Sequence, residues 1–306
     1  MIREAIVLAG GLGTRLRSVL PDQPKCLAPV ADRPFLFHVI NYWRSQGIER
    51  FVFSLGYKHE QIQAYLSTYF PTLNYDTVIE QEPLGTGGAI TLALRACQQQ
   101  QVLVLNGDTL FRGDLHLAAR MHAENQAHCT ILLKPLTHFD RYGVVHTESN
   151  GQIRSFQEKQ AIESGQINAG VYLIDKQKML DEELTVKYSF EKDFLERLVT
   201  ERKFFGLAQD VYFRDIGIPE DHQLADRELR ALPLKPEYIN KQWTLFLDRD
   251  GVLNHEKQAD YIRSSDEFKF YDGVPEALAQ LSENLGKIVV VTNQRGVGKG
   301  WMTEAD

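Results

Sequence analysis

The chain has 306 residues, 43% of them hydrophobic and 25% charged, with a formal net charge of −7; this length exceeds one ordinary core and suits about two domains. The acidic balance argues against general affinity for nucleic acid or anionic membranes, and no apolar run approaches the ~20 residues that span a bilayer. Three scattered cysteines (Cys26, Cys97 and Cys129) form no disulfide framework or zinc pattern and read as small buried thiols. That usage fits a reducing cytosol. Met1 to Glu4 runs straight into a strand without a signal-peptide pattern, so the expected location is cytoplasmic.

The first strand, Ile6-Val7-Leu8-Ala9, opens into Gly10-Gly11-Leu12-Gly13-Thr14-Arg15-Leu16, with Pro24-Lys25 soon after. Glycines there let backbone N–H groups converge on phosphate oxygens without Cβ interference. Arg15 and Lys25 add two mobile positive charges, a combination that points to a nucleoside triphosphate. Leu16 stands where the dinucleotide fingerprint has its third glycine, so an ordinary tight βα turn stays open as the alternative. Apolar spacing then predicts a helix over 35–46, stopped by Gly47, a strand over 51–55 and a helix over 59–69. A strand over 75–80, a helix over 86–97 and a buried strand over 102–105 follow. Repeated units of this length imply an α/β fold, a mostly parallel, doubly wound, Rossmann-like sheet with ligands at the carboxyl ends of its strands.

Two aspartates fall at such ends. Asp108 follows the buried run in Asn106-Gly107-Asp108-Thr109, and Asp215 closes Val211-Tyr212-Phe213-Arg214. A pair of carboxylates distant in sequence is what Mg²⁺ bridging protein and triphosphate requires, although either could cap a helix or serve a turn. Glu82-Pro83-Leu84-Gly85-Thr86-Gly87-Gly88-Ala89 is a second glycine-rich turn into a helix, fit either for close approach of a base or sugar or for simple capping.

From Cys129 strands crowd together, over 130–134, 144–147, 153–158, 169–174, 204–208 and 211–215, with Asn150-Gly151 a hairpin signal. The expectation is an antiparallel layer laid over the sheet as one wall of a pocket. Glu158-Lys159 and Asn168 with Gly170 sit in this region, as a sugar-phosphate contact or as a surface ion pair and a turn.

These motifs, in this order over roughly residues 1–225, resemble the sugar-1-phosphate nucleotidylyltransferases. Asp32 to Leu36, Tyr57 to Glu60 and Glu82 to Ala89 look most like the D-glycero-α-D-manno-heptose 1-phosphate guanylyltransferases. Cys26 departs from relatives that carry a second proline after the lysine. The resemblance implies direct displacement: the sugar 1-phosphate attacks the α-phosphorus of GTP and pyrophosphate leaves. It assigns Leu8, Gly10, Gly11, Gly13 and Thr14 to the nucleotide, with Gly85 and Gly88 against base and ribose. Arg15 and Lys25 become catalytic cations, and Asp108 and Asp215 ligands of Mg²⁺. Gly143, Glu158, Lys159 and Asn168 would hold the sugar phosphate.

A boundary follows. The expected division is a nucleotidylyltransferase domain over 1–230, a linker over 231–242, broken by Pro233 and Pro236, and a second α/β segment over 243–306. Leu245 to Asn254 contains Asp248 and Asp250 two apart at the end of a buried strand, and Val289 to Gln294 carries Thr292 and Asn293. Both stretches resemble the haloacid dehalogenase phosphatases, nearest the D-glycero-D-manno-heptose 1,7-bisphosphate 7-phosphatases and histidinol phosphatases. By that resemblance Asp248 is nucleophile, Asp250 general acid and base, both bind Mg²⁺, and Thr292 and Asn293 hold phosphate. Arg295 to Gly300 lacks the spacing and the Ser or Thr of a P-loop. Because about 65 residues remain where such a domain needs over twice as many, the expectation is a fragment of a bifunctional protein whose phosphatase half is inactive.

Four accounts stay open. They are heptose 1-phosphate guanylyltransfer, transfer to mannose or glucose 1-phosphate from another nucleotide, a non-catalytic nucleotide-sugar sensor, and a phosphatase whose first domain only binds substrate. Expected partners are a nucleoside triphosphate and a sugar 1-phosphate, with homo-oligomerisation left open.

Overall fold

The computed structural model describes residues 2–11, 16, 22–158, 160–231, 240–257, 262, 264–292 and 300. The chain forms two units, residues 1–232 and 233–306, each considered by itself.

In the first unit β1 (Glu4–Ala9) enters the core at once, with Ala5, Ile6 and Val7 fully buried. A small hairpin, β2 (Pro29–Val30) and β3 (Arg33–Pro34), turns on Ala31 and Asp32, both at positive φ (48° and 61°), as a two-residue type I′ turn requires. Then come α1 (Phe35–Ser45), β4 (Arg50–Leu55), α2 (His59–Tyr69), β5 (Asn74–Ile79), α3 (Gly85–Ala96) and β6 (Gln101–Asn106), within a residue or so of the periodicity reading. The chain continues through β7 (Thr109–Phe111), α4 (Leu115–Glu124), β8 (Cys129–Phe139), β9 (Val144–Thr147), β10 (Ile153–Gln157) and β11 (Ile162–Asp175). It finishes with α5 (Lys176–Leu180), a π-helix over Phe190–Glu196, β12 (Phe204–Ala208), β13 (Phe213–Asp215) and α6 (Pro219–Ala231).

The main sheet runs β10-β9-β11-β6-β1-β4-β5, with β8 paired to β11 and β12 to β8. Its centre is parallel: β1 lies between β4 and β6, and β5 follows β4. Two sequence expectations need correction here. The sheet is mixed rather than mostly parallel, and the antiparallel strands do not lie over it but extend it. The reason is the length of β11. Its second half pairs antiparallel with β6, Val171 opposite Leu105, β8 pairs along both halves, and the first half also touches β9. The polar stretch Glu163-Ser164-Gly165-Gln166 hides that first half from an apolar-pattern search.

Strand alternation puts a core on each face. Val7, Phe51, Phe53, Leu103 and Leu105 pack with residues of α1, α2, α4 and α6 on one side. Ile6, Val52, Val102 and Val104 pack with Ile90 and Leu94 of α3 and with Phe190 and Phe194 of the π-helix on the other. Each such fully buried side chain contributes ~1.5–3 kcal/mol. A charged tie runs under the opposite end of the sheet. Glu4, 1% exposed, accepts from the backbone N–H groups of Gln98 (2.8 Å) and Gln99 (2.7 Å) and from Arg50, which also reaches Asp76. Helix α6 clamps the small hairpin, since Asp226 accepts from the Ala31 N–H (2.7 Å) and Arg230 donates to Asp32 (2.8 Å). All three cysteines are free and buried.

In the second unit β14 (Thr244–Asp248) and β15 (Lys287–Val291) form a parallel pair with Asp248 opposite Val291. Helix α7 (Val274–Asn284) precedes β15 and starts after Gly273 at φ 81°. Among the described residues no helix is long and apolar enough to cross a membrane.

Candidate active site

The carboxyl ends of the central strands supply the site. Gly10 and Gly11 leave β1, Gly56 leaves β4, Glu80 leaves β5, and Gly107-Asp108 leaves β6. These ends touch. A Cβ on Gly10 would stand 2.5 Å from Glu80 Oε1, and one on Gly56 would stand 2.9 Å from the Gly10 carbonyl oxygen. The Gly107 N–H donates to the Leu8 carbonyl at 2.9 Å, so Leu8, assigned to the nucleotide from sequence, spends its carbonyl within the protein.

Asp108 and Asp215 meet because β13 pairs antiparallel with β7, placing Asp215 opposite Thr109 and letting the Ile216 N–H donate to the Asp108 carbonyl at 3.0 Å. Lys25 approaches from a single 3₁₀ turn over Lys25–Leu27, and its Nζ donates to Asp108 and, at 3.4 Å, to Asp215 Oδ1. The three side chains are 16%, 35% and 33% exposed, open enough for a ligand yet shielded enough for charge to count. Burial pushes the Asp215 carboxyl above its ordinary value, and Asp108 adds to the rise, outweighing Lys25 and the Gly217 N–H that donates at 2.7 Å. Burial pulls Lys25 down, but the two carboxylates more than offset it and hold the ammonium charged.

Two hard-oxygen ligands crowded around one cation suit Mg²⁺, which takes one or two carboxylates and fills its octahedron with water and phosphate. Among the described residues no group of three or more His, Cys, Asp or Glu side chains converges on one point. Phosphate oxygens would therefore have to complete such a shell.

Beside this cluster opens a cavity of about 790 Å³ whose lining includes Gly143, Glu158, Asn168 and Asp215. Gly143 is glycine for packing: a Cβ there would come 2.6 Å from the Gln157 carbonyl oxygen. Asn168 is engaged at both ends, donating from Nδ2 to the Tyr172 hydroxyl (2.8 Å) and accepting at Oδ1 from the Gly170 N–H (2.9 Å). It thus holds the turn at Gly170, φ 70°, which ties the turn alternative to named partners. The π-helix contributes Glu191, Lys192, Leu195 and Glu196 to the lining. A second cavity, about 630 Å³, shares Arg141, Tyr142 and Phe213 with the first, and Arg141 lies 2.7 Å from Asp221.

The second glycine turn has protein partners of its own. A Cβ on Gly85 would stand 2.4 Å from the Tyr188 carbonyl oxygen, one on Gly87 2.0 Å from the Tyr188 ring, and one on Gly88 2.4 Å from the Val186 carbonyl oxygen. The segment ahead of the π-helix thus presses on the first turn of α3, where Thr86 donates to Glu191 (2.9 Å) and accepts from the Phe190 N–H (2.9 Å).

Gly13, Thr14, Arg15, Lys159 and Asn293 lie outside the described residues. In the second unit, Asp248 ends β14 and Thr292 follows β15, so parallel pairing sets them at neighbouring strand ends. Asp250 accepts from Arg249 (3.1 Å) and from Asn254 Nδ2 (3.1 Å). Sequence reasoning passed over Glu80, although the signal that picked out Asp108 and Asp215, an acidic residue at the carboxyl end of a sheet strand, is present there too. Glu80 Oε2 accepts from the Leu84 N–H at 3.0 Å, which sets it between the two glycine turns, and burial raises its carboxyl above the ordinary range.

Comparison with known proteins matches residues 4–230 to the nucleotidyl transferase family. Over 227 residues the chain is 45% identical to the D-glycero-alpha-D-manno-heptose 1-phosphate guanylyltransferase of Aneurinibacillus thermoaerophilus, covering 74% of this chain and 98% of that one. The Campylobacter jejuni protein of the same name is 41% identical over 219 residues, 72% and 96% of the two chains. Among solved structures, HddC from Yersinia pseudotuberculosis complexed with GMP-PN superposes with a TM-score of 0.66 at 34% identity, covering 74% of this chain and all of that one.

Proposed function

For a chain that belongs to the nucleotidyl transferase family, we propose transfer of GMP from GTP to D-glycero-α-D-manno-heptose 1-phosphate, giving the GDP-sugar and pyrophosphate. One observation carries this reading: Lys25, Asp108 and Asp215, from three distant parts of the chain, converge beside a cavity large enough for a sugar phosphate. A phosphate oxygen of the sugar 1-phosphate bonds to the α-phosphorus, the α–β phosphoanhydride bond breaks, and pyrophosphate carries off its electron pair. Little covalent work falls to the protein, and positioning with charge neutralisation dominates. Lys25 neutralises the reacting phosphates, and Asp108 with Asp215 would hold Mg²⁺, which when bound polarises the phosphoryl oxygens. By the family resemblance, Arg15 would steady the departing pyrophosphate and Lys159 would grip the sugar phosphate.

Glu80 supports guanine as the base. A carboxylate offers two acceptors side by side. Guanine alone of the common bases presents two adjacent donors, N1–H and the 2-amino group, on one edge; adenine and cytosine set a ring acceptor beside their amine, and uracil has a single donor.

The test is pyrophosphate release from a panel of sugar 1-phosphates and nucleoside triphosphates. GTP with heptose 1-phosphate is expected to give the highest kcat/KM, and Glu80→Gln to lower the preference for GTP by about ten-fold or more. Absence of pyrophosphate with every pair would sink the reading in favour of a binding protein.

For the second unit we propose that Asp248 and Asp250 are the nucleophile and proton-transfer pair of a phosphoaspartate site, supported by the neighbouring strand-end positions of Asp248 and Thr292, in a phosphatase half that is inactive in this chain. The expected result is no release of inorganic phosphate from a sugar bisphosphate. Release that Asp248→Asn abolishes would overturn the expected inactivity.

A further inference from the structure

The charged side chains that line the larger cavity sort by their partners. Arg141 is taken by Asp221, Asp215 by Lys25, and Glu191 by the hydroxyls of Thr86 (2.9 Å) and Ser189 (3.2 Å). Three are left whose side chains make no hydrogen bond or ion pair among the described residues: Glu158 on the strand wall, and Lys192 and Glu196 on the π-helix. π-helical turns are rare and occur frequently at functional sites. Here Phe190, Phe194 and Leu195 are buried and anchor it, while Lys192 and Glu196 are exposed toward the cavity. Four positions apart in a helix whose hydrogen bonds close on the fifth residue, the two share nearly one face.

From this we infer that Lys192 and Glu196 read the exocyclic 1,2-diol that a seven-carbon sugar carries beyond its ring, an assignment that rests on the function proposed above. The pair sums to zero charge, so it suits no phosphate: whatever Lys192 attracts, Glu196 repels. A hydroxyl is different, because it donates and accepts at once. An ammonium that only donates beside a carboxylate that only accepts matches two adjacent hydroxyls, one to each. With the phosphate end assigned to Lys25 and Asp215 and the ring to Glu158, Lys192 and Glu196 are the charged lining residues left for the exocyclic carbons. A six-carbon sugar ends in one hydroxymethyl group and satisfies only one of the two side chains. The other is then left facing the bound sugar without a partner, the circumstance in which a polar site discriminates most sharply.

The experiment compares kcat/KM for heptose 1-phosphate and mannose 1-phosphate, each with GTP, in the full chain and in Lys192→Met and Glu196→Gln. In each variant the heptose-to-mannose ratio is expected to fall by about ten-fold or more, with the loss carried in KM for the heptose. A ratio unchanged in both variants, or both substrates weakened by the same factor, would overturn the assignment while leaving the guanylyltransferase reading intact. A wild-type enzyme that favours mannose 1-phosphate would overturn the substrate reading first and this assignment with it.

Discussion

Replacing Asp215 with asparagine is expected to give a protein that melts higher than wild type in chelator and releases pyrophosphate about a hundred to a thousand times more slowly. The two effects share a cause. Asp108 and Asp215 crowd one ammonium, and the carboxyl of Asp215 is raised by burial and by its acidic neighbour. A raised native value means that the folded protein holds this proton more tightly than the unfolded chain does. The stability it contributes is complete below the ordinary carboxylate value and is lost as pH climbs through the native one. At neutral pH, ionised Asp215 is therefore a cost, and asparagine removes that cost while Lys25 keeps Asp108. The gap in Tm should accordingly shrink as pH is lowered through the raised native value and into the ordinary carboxylate range, as wild-type Asp215 takes up its proton. Asp108→Asn should match the loss of turnover. A variant at either position with the wild-type rate ends the metal assignment, and an Asp215→Asn protein that melts lower than wild type ends the account of crowding.

Arg50→Met should destabilise the fold by about 3 kcal/mol or more, the usual consequence of stripping one partner from a buried ion pair. Glu4 is 1% exposed and would keep only the N–H groups of Gln98 and Gln99 around a full negative charge. For a unit of this size that corresponds to a drop in Tm of roughly 6 to 12 °C. Adding Glu4→Gln should restore part of the loss, because a neutral amide needs no counter-charge. A single variant melting within about 2 °C of wild type would show that the tie contributes little. Neither residue is near the strand ends that form the site, so specific activity per folded molecule should not change.

Sequence patterns gave a close account of the first half of the fold and a poorer one of the second. Helices α1, α2 and α3 announce themselves because one face of each is buried, as at Ile62, Tyr65 and Leu66. Strand β11 was half lost because its first residues are polar and held by pairing rather than by apolar burial. The π-helix has no sequence periodicity that a 3.6-residue or 2-residue template could detect. Within the site, Lys25, Asp108 and Asp215 were legible from strand-end position and motif order, and the folded chain brings them together. Gly85, Gly87 and Gly88 were legible as glycines but not for their tightest neighbours. Close packing against Tyr188 and Val186 depends on a segment a hundred residues away. Glu80 is legible by the same rule as the two aspartates, as an acidic residue at the carboxyl end of a sheet strand.

The short pairing of β13 with β7 has a consequence for how the protein is made. Residues 109–111 wait for residues 213–215 before the second carboxylate joins the first. During synthesis, a nascent chain can build β1, β4, β5 and β6 long before Asp215 is present to join Asp108. If the pair holds the divalent ion proposed above, competence arrives with almost the whole of the first unit already translated, and ion-dependent turnover would report that β13 has docked.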